Sequence, residues 1–248
     1  MLIYDIIDQG SDAIARRISS YNTSLIGILA TALEVGSPTL LGMHKDVSKG
    51  AKDAYNSVAI DLNASVHYFG NEVLKSSLDA LESPTEIPRD KMLTQWLESQ
   101  SELVVGALKQ SALRDHKSLA TQARFMMLSA QMLQSKGMSE IGAIMQIRRQ
   151  SMQRLVLQQK DNANRNWGSS YFGKIQMREF LVEVYVQTTL YGFAMQGISV
   201  AKAVGMDADG NKKETIFAIG NDSAGLPSIN TVYEQLFHPN TRNVIEKV

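Results

Sequence analysis

The run GAKDAYNSVAIDLNASVHYFGNEVLKSSLDALE, Gly50 to Glu82, carries the most regular pattern in the chain. Tyr55, Ala59, Leu62, Val66, Phe69 and Val73 recur at spacings of four, three, four, three and four. That is the apolar seam of a helix packed lengthwise along its partners. At 1.5 Å per residue such a helix is roughly 50 Å long. The seam is shorter than the three or four heptads a coiled coil wants, so a long bundle helix is the expected reading.

Towards the N-terminus, Ile3, Ile7, Ile14 and Ile18 fall near one helical face. Gly10 predicts a break or bend there. Asn22 and Thr23 are placed to cap a second helix carrying Leu25, Ile28, Leu29 and Leu33, which Gly36-Ser37-Pro38 stops.

Towards the C-terminus, Ser83-Pro84-Thr85-Glu86-Ile87-Pro88 reads as a linker and Asp90 as a helix cap. Leu93, Trp96, Leu97, Val104, Ala107 and Leu108 mark one helical face; Ala120, Ala123, Met127, Ala130 and Leu133 mark another. A break near Arg114-Asp115-His116 is expected, because residues 91–135 exceed a typical globular helix. Gly137 has the place of a terminating glycine, and Ser139 caps a helix with Ile141, Ile144, Met145, Met152, Leu155 and Val156 inward. The polar run from Asp161 to Ser170, with Trp167 inside it, reads as a loop. A long apolar helix is then expected from Ile175 to about Val204. Turn chemistry at 206–211 and the run Thr215-Ile216-Phe217-Ala218-Ile219 predict a small hairpin, and Ile229 to Phe237 a short helix stopped by Pro239.

The expected fold is therefore mainly α: an elongated multi-helix bundle with a hairpin-like β excursion near 206–220. The expected division is a helical region over 1–83, a Pro-containing linker over 84–89, a bundle region over 90–205, and a hairpin with a short helix over 206–248. The expected core is Tyr55, Leu62, Phe69, Trp96, Val104, Met127, Leu133, Ile144, Leu155, Phe180, Val184 and Phe193.

Composition narrows the function. The 248 residues hold 25 basic and 25 acidic side chains, which is not the basic surplus of a dedicated nucleic-acid binder. There is no cysteine, hence no disulfide, no thiolate nucleophile and no cysteine metal site. The sequence Met1-Leu2-Ile3-Tyr4-Asp5 reads as no secretion signal, so cytoplasmic synthesis is expected, followed by association with a virion or complex. No glycine-rich phosphate loop and no Gly-x-Ser-x-Gly elbow occurs.

Titratable groups give thin leads. His44, His67, His116 and His238 lack metal-ligand spacing. Asp207-Ala208-Asp209-Gly210 hints at a calcium loop, but its glycine comes too early and Lys212 and Lys213 follow, so a hairpin turn is the better reading. Glu179 and Glu183 lie one helical turn apart, the pattern of a solvated face; with His116 they are the groups an enzyme reading would use. Arg148, Arg149 and Arg154 form a modest basic stripe, suited to phosphate or anionic lipid. No catalytic, cofactor or metal site is expected.

Two stretches stand out. Residues 117–160 are rich in Gln, Met, Ala and Ser and hold six of the chain's twelve methionines, the adaptable side chain of surfaces that repack against partners. In style this stretch resembles helical internal and ejection proteins of tailed phages and helical subunits of secretion machines, which implies a place in a larger assembly. Val184 to Ala201 carries no charge, and Gly197, Ala201 and Gly205 recur every four residues, a small-residue ridge if helical. Polar Gln187, Thr188, Thr189, Gln196 and Ser199 favour a buried bundle helix over a membrane span.

The leading expectation is a non-enzymatic structural or assembly subunit acting through helix–helix packing, as a homo-oligomer or with other subunits. Tyr55, Leu62, Phe69, Gly197, Ala201 and Gly205 are its candidate interface residues. The alternative is a membrane-active protein that inserts its 184–205 helix. A membrane is thus a second candidate partner, and nucleic acid is not expected as a primary ligand.

Overall fold

Long apolar seams at helical spacing dominate the chain, and the computed structural model describes residues 2–34, 40–81, 91–151, 158–160, 166–206, 211–220 and 225–248. In order come α1 (Ile3–Glu34), α2 (Leu40–Asp79), α3 (Lys91–Ser135), α4 (Glu140–Ser151), β1 (Gln158–Lys160), β2 (Asn166–Gly168), α5 (Ser169–Met195), β3 (Val200–Met206), β4 (Lys212–Ala218), α6 (Ile229–Leu236) and β5 (Val244–Lys247). The fold is mainly α with a small antiparallel sheet, as expected. The expected stops at 36–38, the linker at 84–89 and the cap at Asp90 lie outside the described residues.

Three expected helix breaks are absent. α1 is continuous because Ile7, Ile14, Ile18, Tyr21, Leu25 and Leu29 form one buried seam along it. Gly10 marks a close approach rather than a bend: a Cβ there would lie 2.7 Å from Leu181 Cδ1 and 2.9 Å from Phe69 Cγ. Asn22 and Thr23, the expected caps, lie inside the helix, where the hydroxyls of Thr23 and Ser24 donate to the carbonyls of Ser19 and Ser20, one turn back.

α3 likewise runs unbroken through 114–116 for 45 residues. Its seam is Leu97, Ser101, Val105, Leu108, Ala112, Asp115, Leu119, Ala123, Met126 and Ala130, all buried. Asp115 continues the seam because it has a partner: Ser169 Oγ donates to its carboxylate at 3.1 Å. Val104, Met127 and Leu133, expected in the core, are only half-buried; the buried register is one position away, at Val105 and Met126. Trp96 is half-buried as well, whereas Phe180, Val184 and Phe193 are buried as expected.

Gly137 closes α3 as expected. Its φ is +91°, its N–H donates to Gln134 O, and the N–H of Met138 reaches back to Leu133 O. That double return is the Schellman ending, which favours glycine. Ser139 caps α4 by accepting from the N–H of Gly142 at 3.2 Å.

The chain forms two compact units, each discontinuous in sequence. One comprises Met1–Asp12, Ser65–Val104 and Ile175–Val248. In it β3 pairs antiparallel with β4 and β5 in the order β4-β3-β5. The Tyr4 hydroxyl donates to Asn243 O at 2.8 Å, and the Tyr185 hydroxyl accepts from the N–H of Ile245 at 2.9 Å. Asp8 pairs with both Arg178 and Arg242, and Arg178 also donates to Pro239 O. These contacts fasten the segment from Pro239 to Ile245 onto α1 and α5. α6 starts at Ile229, as the sequence predicts, with Ser228 as its cap.

The other unit comprises Ala13–Ala64 and Val105–Lys174. Ile14, Ile18 and Leu108 surround Gly173 on α5. The Tyr21 hydroxyl donates to Ala112 O at 3.1 Å. The expected loop at 161–170 begins in residues outside those described, but Asn166–Gly168 form β2, paired with β1, and Ser169 starts α5. Trp167 stacks on Tyr171 with ring centroids 5.1 Å apart.

The expected helix to about Val204 ends nine residues early, at Met195. Gly197, at φ +73°, makes a second Schellman ending: its N–H donates to Ala194 O and that of Ile198 to Phe193 O. The following residues alternate, with Ala201 and Ala203 buried, and become β3. The hairpin is therefore longer than expected, and Asp207-Ala208-Asp209-Gly210 at its turn lies outside the described residues.

Candidate interaction surface

An ordinary amphipathic helix buries one stripe and presents polar residues opposite. From Leu119 to Met132, α3 departs from that rule. Leu119, Ala123, Met126 and Ala130 are buried, yet Phe125, Leu128 and Met132 on the other side are 69%, 56% and 63% exposed. These three stand at spacings of three and four, so they line up along the helix. α4 adds a second outward pair: Ile141 and Met145 are 68% and 59% exposed, while Ala143 is buried. The inward placement expected of Ile141 and Met145 is thereby corrected. Met152, Leu155 and Val156 lie outside the described residues, as does the side chain of Ile144.

The residues expected to form the interface are placed differently. Leu62, Val66 and Val73 are buried within α2, and Tyr55, Ala59 and Phe69 are half-buried. Tyr55 sits edge-on to His116, and Phe69 to Tyr68 as well as against Gly10. The seam at 55–73 is thus spent on packing inside the chain. The ridge of Gly197, Ala201 and Gly205 is not one helical face. Gly197 sits in a turn, Ala201 pairs with Phe217 across the sheet, and Gly205 backs onto Asn243. Arg148 and Arg149 stand on α4, although their side chains are outside those described; Arg154 is outside altogether.

The titratable groups are distributed over both units. Glu183 is half-buried, and its carboxyl is raised above the usual range first by burial and then by the charge of Glu179. Tyr233 of α6 has a hydroxyl pushed up by burial and by these two carboxylates. His116 belongs to the other unit, beside Tyr55. His67 lies 3.4 Å from Glu102, and His238 Nδ1 accepts from the N–H of Asn240. Burial also drives the Tyr185 hydroxyl up to about 12. Among the described residues, no group of three or more His, Cys, Asp or Glu is placed to hold a metal.

A cavity of about 890 Å³ opens beside Gly205, lined by Lys212, His238 and Arg242 among others. Its strong cations are already matched, Arg242 by Asp8 and Lys212 by Glu214 at 2.7 Å. Among the described residues, no helix is long and apolar enough to cross a membrane.

The exposed side chains of α3 and α4 fall in the Met- and Gln-rich stretch that the composition singles out. What the sequence reading missed was their direction. The available signal was the apolarity of 119–132 on both sides at once. No protein-family model, curated protein or solved structure matches the chain.

Proposed function

We propose that the protein is a non-enzymatic helical subunit of a larger assembly, such as a phage virion or a secretion machine, and that it holds a neighbour by helix–helix packing. The surface is the α3 stripe of Phe125, Leu128 and Met132. The observation that carries this reading is that α3 is apolar on two sides between Leu119 and Met132 while only one side is covered. A helix apolar all round belongs in an interior, and here the chain supplies cover for half of it. The stripe has heptad-like spacing, with uncharged Gln122 along one border and the exposed Arg124, one turn before Leu128, along the other.

The test is absolute mass by light scattering over a concentration series. The wild-type chain is expected above its 27.4 kDa monomer mass. The exposed double substitution Phe125→Ser/Met132→Ser is expected to return it to monomer. Each side chain contributes about 1.5–3 kcal/mol when buried, so association weakens by at least about two decades. A wild-type monomer at every concentration sinks self-association through this stripe.

A further inference from the structure

We infer that α4 is an interfacial helix that lays its outward face on an anionic lipid surface. Two observations meet there. The first is exposure: Ile141 and Met145 project from α4 into solvent. The second is charge. Residues 117–160 hold seven basic residues against one acidic residue, Glu140, in a chain whose total is zero. The basic surplus is therefore concentrated in this one stretch and balanced by acids elsewhere. Along α4, Arg148 and Arg149 stand seven and eight positions after Ile141, and Met145 stands four after it. At 100° per residue these four positions share an arc of about 100°.

A short helix with apolar residues on the same arc as adjacent arginines has the make-up of a helix lying in the plane of a membrane. The arginines suit the negative headgroups and the apolar pair the acyl boundary beneath them. Nucleic acid would satisfy the arginines but leave Ile141 and Met145 in water. A second copy meeting this face head-on would set arginine pair against arginine pair. This contact is peripheral and separate from the α3 stripe, and it does not depend on the assembly reading.

The experiment is vesicle sedimentation of the full chain, with phosphatidylcholine alone and with phosphatidylglycerol added. The chain is expected to sediment with the anionic vesicles only, and progressively less as salt rises. Arg148→Gln/Arg149→Gln is expected to lower the partition coefficient about 25-fold, about fivefold for each charge removed. Ile141→Ser/Met145→Ser should lower it at least tenfold, while Phe125→Ser/Met132→Ser leaves it within about twofold. All six positions lie on helices, and far-UV circular dichroism checks that each variant stays folded. No sedimentation with anionic vesicles at low salt overturns the inference. So does equal binding to neutral vesicles, or binding indifferent to both α4 variants. Capture by duplex DNA without capture by vesicles reassigns the face to nucleic acid.

Discussion

α3 and α5 both carry large apolar side chains on more than one side and are treated differently by the fold. On α5, Phe180, Leu181, Val182, Val184, Tyr185 and Val186 are all buried and Glu183 between them is half-buried, although seven consecutive positions must point all round a helix. The chain covers that helix itself, with α1, the sheet and the segment around Ile245 closing over it. On α3, the stretch from Leu119 to Met132 is covered on one side alone. The difference teaches that all-round apolarity records a need for cover without saying who provides it. On α5 the cover is intramolecular; on α3 we assign it to a neighbour.

The sharpest way to break this comparison is to truncate one leucine on each helix. Leu181→Ala is expected to cost about 2–5 kcal/mol in urea unfolding, because it leaves a cavity in a closed core. Leu128→Ala is expected to stay within about 0.5 kcal/mol for the isolated monomer. Equal costs would mean that the α3 stripe is already covered within the chain.

The helix ends provide a control in which the two helices should agree. Gly137 after α3 and Gly197 after α5 both have positive φ, and a Cβ at either would meet nothing within 4 Å. Gly137→Leu and Gly197→Leu should each cost about 1–2 kcal/mol, from the left-handed backbone alone. A much larger loss at Gly197 in thermal unfolding would point instead to tight packing around it.

The smallest effect concerns charge on the covered helix. The Glu183 carboxyl is raised, so the folded state holds the proton more firmly than the unfolded chain does. Stability from this group is therefore complete below the ordinary value of 4.5 and declines as pH climbs through the raised one. Glu183→Gln should stabilise at neutral pH by removing a carboxylate penalised first by burial and then by Glu179, the like-charged pair alone being worth about 0.2–0.5 kcal/mol. The gain should fade below pH 4.5. A gain independent of pH would assign it to something other than charge.

These same helices mark how far the sequence could be read. The α2 seam was legible in part: spacing and burial coincide at Leu62, Val66 and Val73, whereas Tyr55, Ala59 and Phe69 are half-buried and Ile60 and Tyr68 stand exposed on the same helix. On α3 two apolar faces compete, and a one-position slip from Val105 to Val104 or from Met126 to Met127 leaves the pattern equally regular. Periodicity therefore located the Met-rich stretch and left the direction of Phe125 and Ile141 undetermined. The end of α5 was missed for another reason. Alanine and glycine at 197–205 suit a helical ridge, and only pairing with β4 and β5, remote in sequence, selects the strand.

The hydrogen bond from Tyr4 to Asn243 joins residues 239 apart. The segments that meet around it emerge from a ribosome far apart in time. The unit made of α1's first turns, the middle of the chain and the sheet must therefore wait, while Ala13–Ala64 and Val105–Lys174 are already out and free to pair. Closing so long a loop is an entropic cost that local helix contacts do not share. The order of birth thus favours the unit bearing α3 and α4 as the first to fold.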